Sequence, residues 1–414
     1  MSIAVICTGT ELLKGSAVNT NLAYLGRELT AAGMPASLEI TVGDHADELI
    51  RAIGDALHVA DTLIISGGLG PTTDDLTLDT VARFFDIELV ENEELKNKVQ
   101  TFWNFHHSGR CPKQQFRQAR VPRDGFILPN LVGSASGLGF ETLYGGVQRK
   151  VFLLPGPPNE FEPMAHDVLL PHLISLRNEN MITAGFLCCA GESSVFPVVE
   201  KAVSHLPVEV ACAAGAGGTR IFLSGSDETA VEGAVAIARS VLECPILPTG
   251  EYDMADYLLK LLRNNSLTLG CAESCTGGLV ANRFVTIPGA SDVFKGSITA
   301  YANEIKTALL DVPQEILDEY GAVSPECAEA MALGCTKRLN CNCAVSTTGV
   351  AGPDGGTPEK PVGLVYVGAC VNGRCLSRKL QLRGGRRIIR ERAVENALIL
   401  LFTLLTTAGN DSSC

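Results

Sequence analysis

Apolar, strand-like runs alternate with amphipathic helical stretches from the first residues onward, and no other pattern in the chain narrows its fold as far. "SIAVICTG" has the apolar density of a buried strand, and "TNLAYLGRELTAAG" repeats its apolar positions at helical spacing before ending on Gly33. "SLEITVGD", "ADELIRAIGDALHVA" and "DTLIISGGLG" continue as strand, helix and strand, and "RKVFLLPGPPNEF" is a later strand entering a tight turn. Parallel strands need such intervening helices, because each crossover must carry the chain back to the same end of the sheet. The expected class is therefore α/β, with a doubly wound, nucleotide-binding sheet domain over residues 1–170.

Two further segments follow. Residues 178–246 read as a small α+β module: "ITAGFLCCAG", a helix "VFPVVEKAVSHL", paired strands "VEVACAAG" and "TRIFLSGS", then a helix "ETAVEGAVAIARSVL". The module holds a literal G-x-x-G, Gly215 to Gly218, a spacing that clamps a nucleic-acid backbone in KH domains. Acidic residues outnumber basic ones around it, which favours a plain β-turn. "CPILPTGEYD" marks a boundary by its prolines and glycine. Beyond it, residues 254–410 read as a separate α/β domain, from "MADYLLKLLRNN" to "RRIIRERAVENALILLFTLL", with a hairpin turning at Asn372-Gly373 in type I′ form.

Composition excludes several classes. A formal net charge of −13 over 414 residues argues against a general nucleic-acid binder, which needs clustered Lys and Arg. The start of the chain lacks a basic leader, and "ALILLFTLLTT" falls short of the ~20 residues of a membrane span, so a soluble, cytoplasmic protein without a membrane partner is expected. The 15 cysteines are scattered and mostly set in apolar runs, so reduced, packed thiols are the expectation. Cys335, Cys341 and Cys343 cluster without a C-x-x-C pair or a nearby His, and no metal is assigned to them.

The stretch "CAESCTGGLV" crowds small polar groups onto a strand-to-helix turn, where α/β folds bind ligands. Ser274 there is a nucleophile candidate beside the backbone N–H groups of Thr276, Gly277 and Gly278, although Ser274 and Thr276 would also suit simple helix capping. "GSITAYANEIKTALLDV" puts Lys306 in the first turn of a helix capped by Asn303, where the dipole disfavours an ammonium. A Lys held against that preference is a candidate general base for Ser274, with Tyr301 to relay a proton or position a substrate; a solvated surface Lys is the alternative. Ser324 in "GAVSPE", the loop "STTGVAGPDGG" with Thr347, Thr348, Gly349, Gly352 and Asp354, and Arg386 and Arg390 in "GGRRIIRER" add donors and a phosphate clamp.

In this order "AESCTGGL", "YANEIK", "GAVS", "TTGVAGPDGG" and the Arg-bearing helix resemble the C-terminal domain of the CinA family, whose members include nicotinamide mononucleotide deamidases. The resemblance implies hydrolysis of the nicotinamide carboxamide to nicotinic acid mononucleotide and ammonia, with Ser274 as nucleophile, Lys306 as base, Tyr301 assisting and Arg386 or Arg390 clamping the substrate. It implies no metal or cofactor in that domain. Cys275 is the weaker nucleophile candidate, since no His or Asn partner suggests itself.

At the other end of the chain, "TGTELLKGSAVNTN" and "SGGLGPTTDDLT" place Glu11, Asp74 and Asp75 near glycine turns, and "PGPPNEF" adds Gly156 and Glu160. Such a site could hold a phosphorylated ligand and a divalent cation together. The candidate set is Thr10, Glu11, Asn19, Gly67, Gly68, Gly70, Thr72, Asp74, Asp75, Gly156 and Glu160, with Glu11 and Asp75 as metal ligands. This region is similar to the MoaB-like, molybdopterin-binding domain of long CinA proteins, a match that "PKQQFRQARVP" and "NLVGSASG" extend. The chain reads "GSASG", with Ser134 and Ser136, where the family usually has a Thr before its second small residue.

The resemblance implies an ADP-ribose pyrophosphatase that uses a divalent metal, and a homodimer as the assembly. The rival readings are a non-catalytic competence-related or pterin-binding regulatory protein, and a pyrophosphatase whose C-terminal site is idle. Metal dependence separates the two enzyme readings.

Overall fold

The computed structural model describes residues 1–176 and 181–408, so the expected boundaries at 178 and 410 lie outside the described residues. The chain forms two compact units, one of Met1–Thr183 with Ser224–Glu228, the other of Ala184–Leu223 with Thr229–Cys414.

The first unit contains β1 (Ile3–Thr8), α1 (Thr20–Ala31), β2 (Ala36–Val42), α2 (Ala46–Val59), β3 (Thr62–Ser66), α3 (Thr77–Phe85), β4 (Phe126–Leu128), β5 (Gly137–Tyr144) and β6 (Val147–Leu154). The sheet order is β2-β1-β3-β6-β5-β4. The first four strands are parallel, and β5 and β4 complete the sheet as antiparallel strands. Alternate side chains explain the double winding: Ala4, Ile6, Leu63, Ile65 and Leu153 pack with Ile53 and Val81 on one face. Ile3, Val5, Ile64, Phe152 and Leu154 pack with Leu25 and Leu29 on the other. The parallel strands end in register, Cys7 opposite Ser66 and Ser66 opposite Leu154, so the loops that follow them converge. Close packing there needs glycine. Gly67 has φ 105°, and a Cβ on it would stand 2.5 Å from the Thr8 carbonyl oxygen.

β7 (Ile182–Cys188), α4 (Glu192–Val203), β8 (Glu209–Gly215), β9 (Gly218–Gly225) and α5 (Glu228–Ser240) form a small α+β part that belongs to the second unit apart from Ile182, Thr183 and Ser224–Glu228, with sheet order β8-β9-β7 and a core of its own around Phe186, Val199 and Ile221. Gly215 and Gly218 end and begin paired strands, so the G-x-x-G is a hairpin turn. The stretch expected to be a linker is paired along β7: the Cys189 N–H donates to Pro245 O, Leu247 N–H to Leu187 O, and Leu187 N–H to Glu251 O. Leu187 and Leu247 then join the core of the domain that follows.

That domain holds α6 (Met254–Asn264), β10 (Leu269–Glu273), α7 (Leu279–Val285), β11 (Phe294–Thr299), α8 (Asn303–Leu310), α9 (Pro325–Leu339), β12 (Cys343–Gly349), β13 (Leu364–Val371), β14 (Arg374–Gln381) and α10 (Arg386–Ala408). Its sheet order is β11-β10-β12-β13-β14. β10 is parallel to both neighbours, and the β13–β14 hairpin is antiparallel. That hairpin turns at Asn372 (φ 48°) and Gly373 (φ 85°), the two positive values a type I′ turn requires. One expectation is corrected here: Cys370 and Cys375 face each other across the hairpin and are disulfide-bonded. The other twelve cysteines among the described residues are free. No helix among the described residues is long and apolar enough to cross a membrane.

Candidate active site

Ser274 follows the last residue of β10, and residues 274–278 form the turn into α7. The turn closes through left-handed Gly277 (φ 57°) and Gly278 (φ 94°). The Ser274 N–H donates to Thr347 O at 2.9 Å, which ties the turn to β12. The N–H groups of Thr276 and Gly277 donate to no atom among the described residues.

Lys306 lies in the first turn of α8, as expected, but Asn303 is the first helical residue and not its cap; Ala302 occupies the cap position without a side-chain bond. Lys306 packs inward and is only 1% exposed. Its Nζ stands 3.2 Å from Ser274 Oγ, 3.0 Å from Ala300 O and 3.0 Å from Tyr301 O. Burial lowers the Lys306 pKa below its usual value. Carbonyl oxygens can only accept, so Nζ donates to Ala300 and Tyr301 in either charge state, and a neutral amine keeps its lone pair for the serine hydroxyl. Cys275 is buried, and that burial pushes its thiol up to about 11, so it stays protonated beside Ser274.

The other candidates divide by how their polar groups are used. Tyr301 reaches Lys306 through its carbonyl, while its ring is 62% exposed and its hydroxyl accepts from Arg386 Nη2 at 3.2 Å. Arg386 Nη1 donates to Gly352 O at 2.7 Å. Arg390 Nε donates to Cys275 O at 3.1 Å and its Nη2 to Thr276 O, so that side chain braces the turn from α10. Ser324 caps α9, accepting from Cys327 N–H and donating to Gly321 O. Thr348 donates to Ala322 O at 2.6 Å, and Gly349 packs so closely on β13 that a Cβ would stand 2.7 Å from Leu364 O. Glu273, absent from the expected set, is fully buried and accepts from the hydroxyls of Thr276 and Ser297 and the N–H groups of Gly278, Val280 and Ala281. Its sequence signal was only its place before Ser274.

In the first unit, a cavity of about 650 Å³ opens where the parallel strands end. Glu11, Asn19, Gly67, Gly68, Gly70, Asp74, Asp75, Gly156 and Glu160 line it, with Ser134. Thr10 and Thr72 do not. Thr10 exchanges bonds with Asp44, its N–H donating to Oδ2 at 2.8 Å, and Thr72 donates both its N–H and hydroxyl to Asp75 Oδ2. Sequence reading missed Asp44, Asn21, Ser66 and Gln118, which also line the cavity. Asn21 and Gln118 are buried, and Asn21 Oδ1 and Gln118 Oε1 lack a partner. Ser136 lies off the cavity and accepts from Lys98 Nζ. No group of three or more His, Cys, Asp or Glu among the described residues is arranged to hold a metal.

The family model of the CinA C-terminal domain matches residues 251–405, and that of the probable molybdopterin binding domain matches residues 4–175. A CinA-like protein of Dictyoglomus thermophilum is 38% identical over 411 residues, which is 97% of this chain and 98% of that protein. The chain belongs to the CinA family. A putative competence-damage inducible protein of Thermoanaerobacter pseudethanolicus is 39% identical over 402 residues, 95% of this chain and 96% of its own. The crystal structure of the competence/damage inducible protein CihA from Agrobacterium tumefaciens is 39% identical, with a TM-score of 0.36, and covers 36% of this chain and 93% of that one. In CinA terms, the first match spans the turn of Ser274 with Lys306, and the second spans the cavity of the first unit.

Proposed function

We propose that the C-terminal domain is an amidohydrolase that converts nicotinamide mononucleotide and water to nicotinic acid mononucleotide and ammonia, serving pyridine-nucleotide recycling. The observation that carries this reading is the buried 3.2 Å approach of Lys306 Nζ to Ser274 Oγ. Neutral Lys306 takes the hydroxyl proton as Oγ attacks the carboxamide carbon. The oxyanion faces the uncommitted N–H group of Gly277, on the exposed side of the turn. Collapse breaks the C–N bond, and the ammonium of Lys306 returns its proton to the departing nitrogen. Water, deprotonated by the same amine, then releases the acid and restores the Ser274 hydroxyl. Arg386, exposed and bonded to Gly352 O and the Tyr301 hydroxyl, fits the phosphate clamp better than half-buried Arg390, whose guanidinium braces the turn through the Cys275 and Thr276 carbonyls. The test is ammonia release from purified protein with and without EDTA. Turnover should survive chelation, be lost in Ser274→Ala and fall by about 10²–10⁴-fold in Lys306→Ala; a wild-type protein without turnover would overturn the assignment.

A second reading is favoured by the cavity of the first unit. Its carboxylates, Glu11 and Asp75 with Asp44, Asp74 and Glu160, have the oxygen chemistry of a hard divalent cation, which is commonly held by one or two carboxylates and completed by ligand phosphates. Bound there, such a cation would polarise a diphosphate, and the glycine turns would admit the phosphates close to the backbone. Hydrolysis of ADP-ribose to AMP and ribose 5-phosphate should stop in EDTA while ammonia release continues. A competence-related or pterin-binding regulator would show neither turnover. The same reading takes the protein as a cytoplasmic homodimer, which sedimentation equilibrium and cell fractionation would check.

A further inference from the structure

We propose that Glu273 is a positioning residue for the reaction: its carboxylate, with Thr276 and Thr347, fixes the turn that presents Ser274 and the N–H groups beside it. The inference rests on the amidohydrolase reading of that site. Glu273, Thr276 and Thr347 are each 0% exposed. A buried carboxylate is costly unless its charge is compensated. Here no Lys or Arg among the described residues forms an ion pair with it, and the compensation comes from donors alone. Oε2 accepts from Thr276 Oγ1 at 2.7 Å, Gly278 N at 2.8 Å and Val280 N at 3.0 Å. Oε1 accepts from Ala281 N at 2.9 Å and Ser297 Oγ at 3.1 Å.

Proton counting extends the network. The Thr276 hydroxyl has one hydrogen, and the carboxylate takes it. The 2.7 Å contact between Thr276 Oγ1 and Thr347 Oγ1 must therefore be a bond donated by Thr347. The chain Thr347 to Thr276 to Glu273 locks β12 onto the turn from the side, and the Ser274 N–H bond to Thr347 O locks it along the backbone. Two consequences follow. At the start of α7 the Gly278, Val280 and Ala281 N–H groups are occupied by the protein's own anion and that of Leu279 by Thr276 O, so the substrate phosphate is held elsewhere. The Gly277 N–H group, left out of the network and on the exposed side of the turn, stays fixed for the oxyanion.

Glu273→Gln is a sharp probe, because either amide orientation turns an NH2 group toward backbone N–H donors. The expected result is a fall in kcat of about 100-fold with KM within about threefold, the size of losing one oxyanion donor. Thr347→Val should lower kcat about 10-fold, Thr347→Ser should recover most of it, and the double variant Glu273→Gln/Thr347→Val should fall no further than Glu273→Gln alone. A fluorophosphonate gives a readout that does not depend on the substrate: Lys306 takes the hydroxyl proton, Ser274 Oγ bonds to phosphorus and fluoride leaves. If the wild-type protein is labelled but releases no ammonia, the amidohydrolase reading fails and labelling still tests the positioning role. Slower labelling in Glu273→Gln and Thr347→Val, restored in Thr347→Ser, supports it. Labelling at the wild-type rate in both variants overturns it, as does a wild-type protein whose Ser274 is never labelled. Should Glu273→Gln fail to fold, the Val and Ser variants at 347 decide alone.

Discussion

At the scale of single residues, the proposed amide chemistry depends on one proton. Lys306 is buried against two acceptors and one hydroxyl, and burial lowers its pKa below the usual 10.5. The amine must be neutral to accept a proton from Ser274, so kcat/KM for amide hydrolysis should rise with pH on a limb lying below that ordinary value. A pH–rate profile checks this, and a profile flat to pH 10.5 would remove Lys306 as the base. The linkage sign agrees. The folded state gives up this proton at a lower pH than the unfolded chain, so the Lys306 contribution to stability improves as pH rises between the two pKa values. Lys306→Ala should reduce turnover by about 10²–10⁴-fold, the usual range for loss of a positioned base. Lys306 was legible in the sequence because an ammonium in a helix's first turn breaks a local rule. Glu273 was not legible, because a carboxylate before a helix obeys one, and only the fold shows five donors converging on it.

At the scale of elements, α10 carries two arginines one helical turn apart that do different work. Arg390 holds the carbonyls of Cys275 and Thr276 from within, whereas Arg386 meets exposed Tyr301 and the Gly352 loop. Charge-assisted bonds of this kind contribute about 1.5–3 kcal/mol each. Arg386→Met should therefore raise KM by about 10- to 100-fold with kcat little changed, and Arg390→Met should act mainly on kcat by loosening the turn. Steady-state kinetics on the two variants checks the split; a larger KM effect in Arg390→Met would exchange their roles. Ser324 belongs to a third kind. Its hydroxyl caps α9, so Ser324→Ala should cost about 1 kcal/mol of stability, read as a lower Tm, with KM unchanged. The spacing of these residues was readable from the sequence. Their partners were not, because Arg390 and the turn it braces lie 114 residues apart along the chain.

At the scale of the molecule, the alternation of strands and helices was enough to read both α/β sheets, since each strand's two apolar faces are written in consecutive residues. The second unit was harder. "CPILPTGEYD" has the composition of a linker, but composition is silent on whether its N–H and C=O groups face water or a neighbouring strand. Here Leu247 and Glu251 bond along β7, and the small α+β part joins the C-terminal unit. Each unit holds its own candidate site: the Ser274 turn and Lys306 in one, the carboxylate-lined cavity in the other. The two proposed activities should then be separable by chemistry alone. EDTA, or Asp75→Ala with Glu11→Ala, should abolish ADP-ribose cleavage and leave ammonia release within about twofold, since a Ser/Lys amidase needs no cation. Ser274→Ala should do the reverse. Assaying both products from the same preparations checks the pattern, and loss of both activities on chelation would mean that the amide chemistry has been assigned to the wrong groups.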